Sequence, residues 1–235
     1  MTRVLVVGAG GIGLAVVRRL LISADSIALS YHRNPPTTKL DPAVNVVQLD
    51  ATDPEGISRA FAEVSQFDTL VITTGHRHEL EFFTKQDPDQ AQEIINTELL
   101  GPMNLVRAAL QQCDDYGRIV IIGSDSGKAG TLGDAASSAA RAGLMGFVRS
   151  IARETARKDI TINIVSPGPT DTDLLGGMLE NGGLTGKVMA GTIKAIPKGR
   201  TATPEEIAEA VAYFTSPQAG FTTGQVLSVS GGLSM

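Results

Sequence analysis

The stretch "VLVVGAGGIGLAVVRRLL", residues 4–21, decides the fold. Four consecutive apolar residues run into Gly8, and a helical pattern begins at once behind Gly13. Gly8, Gly10 and Gly13 keep the spacing of a dinucleotide loop between a strand and a helix. The first glycine makes the tight turn, and the second lets the backbone approach a pyrophosphate. The third lets helix and strand pack closely, with the helix N-terminus facing the phosphates. Gly11 and Ile12 complete the loop as further candidate cofactor contacts.

The same grammar continues along the chain. Short apolar runs at 26–31, 44–49, 69–73, 118–123, 161–166 and 225–230 alternate with helical segments at about 11–22, 55–64, 88–112, 134–157 and 204–215. The runs are continuous in Val, Ile and Leu, which marks strands buried on both faces. Strands alternating with helices predict right-handed βαβ units. The expectation is a single α/β domain: a doubly wound, Rossmann-type parallel sheet of about seven strands with helices on both faces. "DPDQ" (87–90) and "TPEE" (203–206) give N-cap, first-turn proline and acids for two helices. Gly101-Pro102 is expected to disturb the helix over 88–112. Residues 174–199 are rich in Gly and Met with weak periodicity. They follow a strand end, where ligands bind in such sheets, and read as a flexible flap over the site.

Composition narrows the partners. The 20 Lys and Arg against 25 Asp and Glu leave a net charge of −5 without a basic stripe. Nucleic acid and anionic membrane are therefore not expected. One cysteine, Cys113, makes no disulfide within the chain and fits a cytoplasmic protein. Residues 3–7 already read as a strand, so no signal peptide is expected ahead of them. His76 and His78 without a third ligand do not make a metal site. They read as exposed loop residues; a second reading has one of them supply a proton near neutrality. Lys128 reads as solvated, Asp125 and Asp134 as loop and N-cap residues.

At the end of the second strand, where an acid commonly holds the ribose 2′-hydroxyl of NAD, the chain has His32 and Arg33. A guanidinium there suits a 2′-phosphate, so NADP(H) is favoured over NAD(H).

With these elements placed, the chain resembles the short-chain dehydrogenase/reductase family over essentially its whole length, and within it the 3-oxoacyl-carrier-protein reductase-like branch. The resemblance rests on "QLDATD" with Asp50 and Ala51 and on "IINTELLG" with Asn96; after the fourth strand the family's Asn-Ala-Gly is replaced by Thr73, Thr74 and Gly75, which stay as expected cofactor contacts. It rests also on "GRIVIIGS" with Ser124, "NIVSPGPTDTDL" with Pro167, Gly168, Thr170 and Thr172, and the ending from Gly199 onward. It implies that Asp50 contacts the adenine, that Thr172 lies on the nicotinamide side, and that Ser124 and Asn96 serve the reaction. It also implies a small-molecule substrate and a homo-oligomer, dimer or tetramer, joined through the two long helices and the last strand.

One departure governs the function. In the family a tyrosine stands thirteen positions after the strand-end serine and a lysine four later. Counting from Ser124 gives Ser137 and Arg141. A phenol starts near pKa ~10 and is brought lower by a neighbouring cation. A serine hydroxyl is a far weaker and shorter donor, and an arginine does not give up its proton. The leading expectation is thus an NADP(H)-binding oxidoreductase of carbonyl or alcohol substrates without the usual acid–base pair. Ser137 and Arg141 stay as candidate catalytic residues, Arg141 also as a ribose contact. The alternatives are a catalytically silent nucleotide-binding homologue, as a sensor or hetero-oligomer subunit, and a non-redox enzyme derived from the family.

Overall fold

A computed structural model describes residues 2–64 and 66–234. Seven strands, β1 (Arg3–Val7), β2 (Ser26–Tyr31), β3 (Val44–Gln48), β4 (Thr69–Ile72), β5 (Tyr116–Ile122), β6 (Asp159–Pro167) and β7 (Val226–Val229), form one sheet. All pairings are parallel, in the order β3-β2-β1-β4-β5-β6-β7. The order reverses between β1 and β4, and the crevice beyond their carboxyl ends is where such sheets bind ligands.

The helices are α1 (Gly11–Leu20), α2 (Pro54–Val64), α3 (Pro88–Ile95), α4 (Gly101–Gln112), α5 (Ser126–Ala129), α6 (Ala135–Glu154), α7 (Asp173–Glu180), α8 (Gly183–Lys194) and α9 (Pro204–Thr215). The central strands have apolar residues on both faces because each face has a core of its own. Val16 and Val17 of α1 and Ile207, Val211 and Phe214 of α9 cover one face. Ile57 and Phe61 of α2, Leu105 of α4 and Leu144 and Val148 of α6 cover the other. Thr203 and Glu206 make a reciprocal capping box at the start of α9, and Asp87 caps α3 through the Asp89 amide.

Two segments differ from the sequence reading. Residues 174–199, expected as a flexible flap, are largely the two helices α7 and α8. Thr172 caps α7 by accepting from the Leu175 amide, and Gly182 and Gly183 take positive φ at the break before α8. Glycines carry no side chain for an apolar stripe, so periodicity could not reveal α8. The helix read over 88–112 is interrupted by a π-turn, Asn96–Leu100, in which the Gly101 amide donates to the Asn96 carbonyl. Pro102 stands in the first turn of α4 just beyond it, where a missing N–H is tolerated.

Candidate active site

The glycine loop is shaped by Thr73. Gly8 has φ of 110°, and a Cβ on it would lie 2.5 Å from the Thr73 hydroxyl. That hydroxyl donates to the Val7 and Gly8 carbonyls at 3.0 and 2.9 Å, tying the end of β4 to the loop. A Cβ on Gly13 would stand 1.9 Å from the Gly8 carbonyl oxygen, so only glycine permits this strand–helix crossing. A Cβ on Gly10, by contrast, meets no heavy atom within 4 Å. Gly10 is also the N-cap of α1 and offers no side-chain acceptor. The first-turn amides of α1 thus have no capping side chain, as an anion site requires.

The rest of the cleft gathers around this loop. Thr172 comes from beyond β6, and its methyl lies 2.9 Å from the place of a Gly11 Cβ. Thr170 bonds back to the Gly168 carbonyl and bridges Ala202, while Pro167 ends β6. Asp50 follows β3; it accepts from the amide and hydroxyl of Thr52 and pairs with His32 at 3.2 Å. Its partial burial works against the charge, but the Thr52 bonds and the nearby His32 and Arg33 hold its carboxyl below the usual range. Arg33 is exposed and has no ion-pair partner among the described residues. Ala51 is buried under Gly101, against whose would-be Cβ it lies at 3.1 Å. Buried beside the end of β4, the Thr74 hydroxyl has no hydrogen-bond partner among the described residues. An unfilled cradle at Gly10, an orphaned hydroxyl at Thr74 and an unpaired Arg33 together fit a phosphorylated dinucleotide. The loop would hold its pyrophosphate.

The far end of the cleft is different. Ser124, half-buried after β5, accepts from the Ser126 amide and hydroxyl at 3.2 and 2.9 Å. Ser137 and Arg141 lie one turn apart on α6, both buried, and both turn toward one carboxylate, Glu98. The Ser137 hydroxyl donates to Glu98 Oε2 at 2.6 Å. Arg141 grips Glu98 with two nitrogens, Nε to Oε2 at 3.0 Å and Nη2 to Oε1 at 2.9 Å. Its remaining contacts are to backbone: Nη1 to the Ile122 carbonyl at 3.0 Å and Nη2 to Thr74 at 3.4 Å. The His76 amide donates to Glu98 Oε1 at 3.0 Å. Glu98 is 3% exposed, so its burial disfavours charge. The Arg141 charge and the bonds from His76 and Ser137 outweigh that and hold the carboxyl below its usual range. The site's middle is therefore a carboxylate–guanidinium pair with a serine proton committed to it.

Around it, the structure revises three smaller readings. His78, expected as exposed, has a side chain only 5% exposed and pairs with Asp134 at 2.7 Å. Burial pushes the ring toward neutrality, but the Asp134 bond and charge, with Glu98 nearby, raise its pKa. Asp134 spends its carboxylate on this pair and makes no cap bond to α6. Lys128 is exposed but not only solvated: its Nζ donates to the Ser228 hydroxyl at 2.7 Å, and Ser228 donates to Asp125. Asn96 sits in the π-turn, its side-chain oxygen accepting from Gln92. Among the described residues no group of three potential metal ligands occurs, and no helix is long and apolar enough to cross a membrane. A cavity of about 530 Å³ beyond β7, lined by Lys128, Arg200 and Ser230, holds none of Ser124, Ser137 or Arg141.

Known proteins of the same build settle the family. Residues 7–234 match the family model described as Enoyl-(Acyl carrier protein) reductase. The 3-oxoacyl-[acyl-carrier-protein] reductase MabA of Mycobacterium bovis is 33% identical over 239 residues, 99% of this chain and 92% of that protein. The acetoacetyl-CoA reductase of Shinella zoogloeoides is 35% identical over 244 residues, covering 99% and 98%. A solved short-chain dehydrogenase/reductase from Serratia marcescens superposes with a TM-score of 0.85 at 27% identity, covering 100% and 98%. The chain belongs to the short-chain dehydrogenase/reductase family.

In this short-chain dehydrogenase/reductase the residue that sequence reasoning passed over is Glu98. The available signal was an acid two positions beyond Asn96, between the apolar Ile94 and Leu99. A regular helical wheel cannot say which way it faces, because the π-turn advances every later side chain.

Proposed function

We propose that this member of the family binds NADP(H) at the β1–β4 crevice and has given up the family's proton relay at positions 137 and 141. The observation that carries the reading is the Glu98 cluster. The only hydroxyl proton of Ser137 is directed at Glu98 Oε2, 2.6 Å away, and Arg141 is saturated by carboxylate and carbonyls. Neither side chain has a proton to hand to a developing alkoxide, and neither presents an uncommitted charge to a ribose. A nicotinamide dinucleotide, when bound, supplies a hydride. The chain's own part is then to hold the pyrophosphate at Gly8, Gly10, Gly11, Ile12 and Gly13, the 2′-phosphate at His32 and Arg33, and the adenine by Asp50 and Ala51. Thr73, Thr74, Gly75, Pro167, Gly168, Thr170 and Thr172 line the nicotinamide side.

General acid help is worth about 10²–10⁴-fold in rate, so carbonyl reduction is expected at least about 100-fold below a tyrosine-bearing relative. NADPH and NADH titrations followed by a panel of ketones, aldehydes and 3-oxoacyl thioesters test this. Saturable NADPH binding with little or no turnover supports the reading, and turnover at a relative's rate refutes it. Ser124 favours a second reading, a slow oxidoreductase. It stands outside the Glu98 cluster, accepts two bonds and retains a proton with which to polarise a carbonyl. Rates that respond to Ser124→Ala and not to Ser137→Ala distinguish it. In either reading we expect a cytoplasmic homo-oligomer, and light scattering checks the assembly.

A further inference from the structure

Three elements converge on one buried carboxylate. Glu98 comes from the π-turn, Ser137 and Arg141 from α6, and the His76 amide from the segment after β4. The charged and titratable groups around this cluster are Glu98, Arg141 on the helix of Ser137, and the His78–Asp134 pair, whose His78 lies within the field of Glu98. Of these, Glu98 alone touches the Ser137 oxygen, at 2.6 Å. The pair it makes with Arg141 is nearly dry, with side chains 9% and 3% exposed. A carboxylate at this distance acts twice on any hydroxyl or thiol placed there. It accepts the proton in the neutral form, and it repels the negative charge of the ionised form. It also neutralises the one cation that would otherwise favour ionisation.

We propose that Glu98 is a positioning residue for the altered site: by accepting the hydrogen bond of side chain 137 and neutralising Arg141, it holds that proton on itself, turned from the cleft, and opposes ionisation at position 137. The proposal deepens the reading above and rests on it for the place of positions 137 and 141 beside the dinucleotide cleft. Exchanging those two residues for tyrosine and lysine is then insufficient to rebuild an acid–base group, because the new phenol would donate its hydrogen bond to the same carboxylate and resist ionisation beside it.

The experiment compares S137Y/R141K with E98T/S137Y/R141K, with no dinucleotide present. Ultraviolet difference spectra against the parent chain follow ionisation of the introduced phenol. With Glu98 retained, the phenol titrates above the ordinary tyrosine value of about 10. With Glu98 replaced, the lysine acts unopposed and the phenol titrates at least about one pH unit lower, a tenfold shift in ionisation. Midpoints that coincide overturn the proposal. A milder pair guards against failure to fold: S137C with and without E98Q, both in a C113S background. Thiolate absorbance in the E98Q form is expected to rise at a lower pH, with at least about threefold more thiolate at a given pH, and an unchanged profile overturns the proposal. NADPH titration of the parent chain judges the dinucleotide reading separately. Because the phenol and thiol measurements need no nucleotide, the two failures are distinguishable.

Discussion

Replacing Glu98 by glutamine removes one charge and little volume, and its effect can be worked from the contacts. Four donors converge on the carboxylate: the Ser137 hydroxyl, Arg141 Nε and Nη2, and the His76 amide. Glutamine keeps one acceptor oxygen, so donors on the other side meet an NH₂ group instead. Each buried donor left unsatisfied costs about 1–3 kcal/mol. Breaking one side of a buried ion pair typically costs about 3–5 kcal/mol, because Arg141 stays behind uncompensated. We expect Glu98→Gln to lose about 3 kcal/mol at pH 7, which for a chain of this size lowers Tm by about 6–12 °C. Replacing both partners, Glu98→Met with Arg141→Met, is expected to cost less than either single change, since no buried charge is then orphaned. The pH dependence follows from the sign of the shift. The folded carboxyl sits below its usual pKa, so its contribution is fully present above about 4.5 and fades as the pH falls through the folded value. Urea unfolding of the parent should therefore weaken in acid more steeply than that of Glu98→Gln. A loss below about 1 kcal/mol at pH 7, with parallel acid limbs, would refute the reasoning.

Other outcomes follow from the same structure. The His78 ring has a raised pKa through Asp134, so its contribution is full below about 6.5 and is lost as pH rises through the folded value. His78→Gln should hence cost more stability at about pH 6 than at about pH 9, and equal costs in urea titrations would contradict this. Gly13→Ala puts a Cβ 1.9 Å from the Gly8 carbonyl oxygen, so α1 must move off the loop. A destabilisation of about 1–3 kcal/mol with at least tenfold weaker nucleotide binding is expected, read by thermal unfolding and NADPH titration. Arg33→Ala should weaken NADPH by about tenfold, the worth of one charge-assisted bond, and leave NADH unchanged. Equal losses for both nucleotides would remove Arg33 from the 2′-phosphate site.

Much of the architecture was legible because it rests on patterns of side-chain burial. The unbroken Val-Ile-Leu runs of β4 and β5 could only belong to strands covered on both faces, and the spacing of Gly8, Gly10 and Gly13 placed the crevice. The two helices over 174–199 were not legible, because α8 begins at two glycines and its apolar side chains do not gather on one face. Gly101-Pro102 announced a disturbance in its helix but not its kind, and the π-turn that resulted is what turns Glu98 inward. The spacing from Ser124 gave the expectation that Ser137 and Arg141 stand where the family keeps its acid–base pair. That a carboxylate forty residues upstream in round terms (98 to 137) had taken both into one buried cluster is a fact of tertiary contact, and no spacing rule reaches that far. His78 was misjudged for a related reason: a polar loop residue reads as solvated unless its partner, here Asp134, is known.

The most direct test of the account is a crystal structure with NADPH bound. The account predicts dinucleotide density along Gly8–Gly13 with Ser137 and Arg141 still on Glu98, near the 2.6 and 2.9 Å found here. An Arg141 side chain swung off Glu98 onto the ribose, or a Ser137 hydroxyl turned to a substrate oxygen, would contradict it.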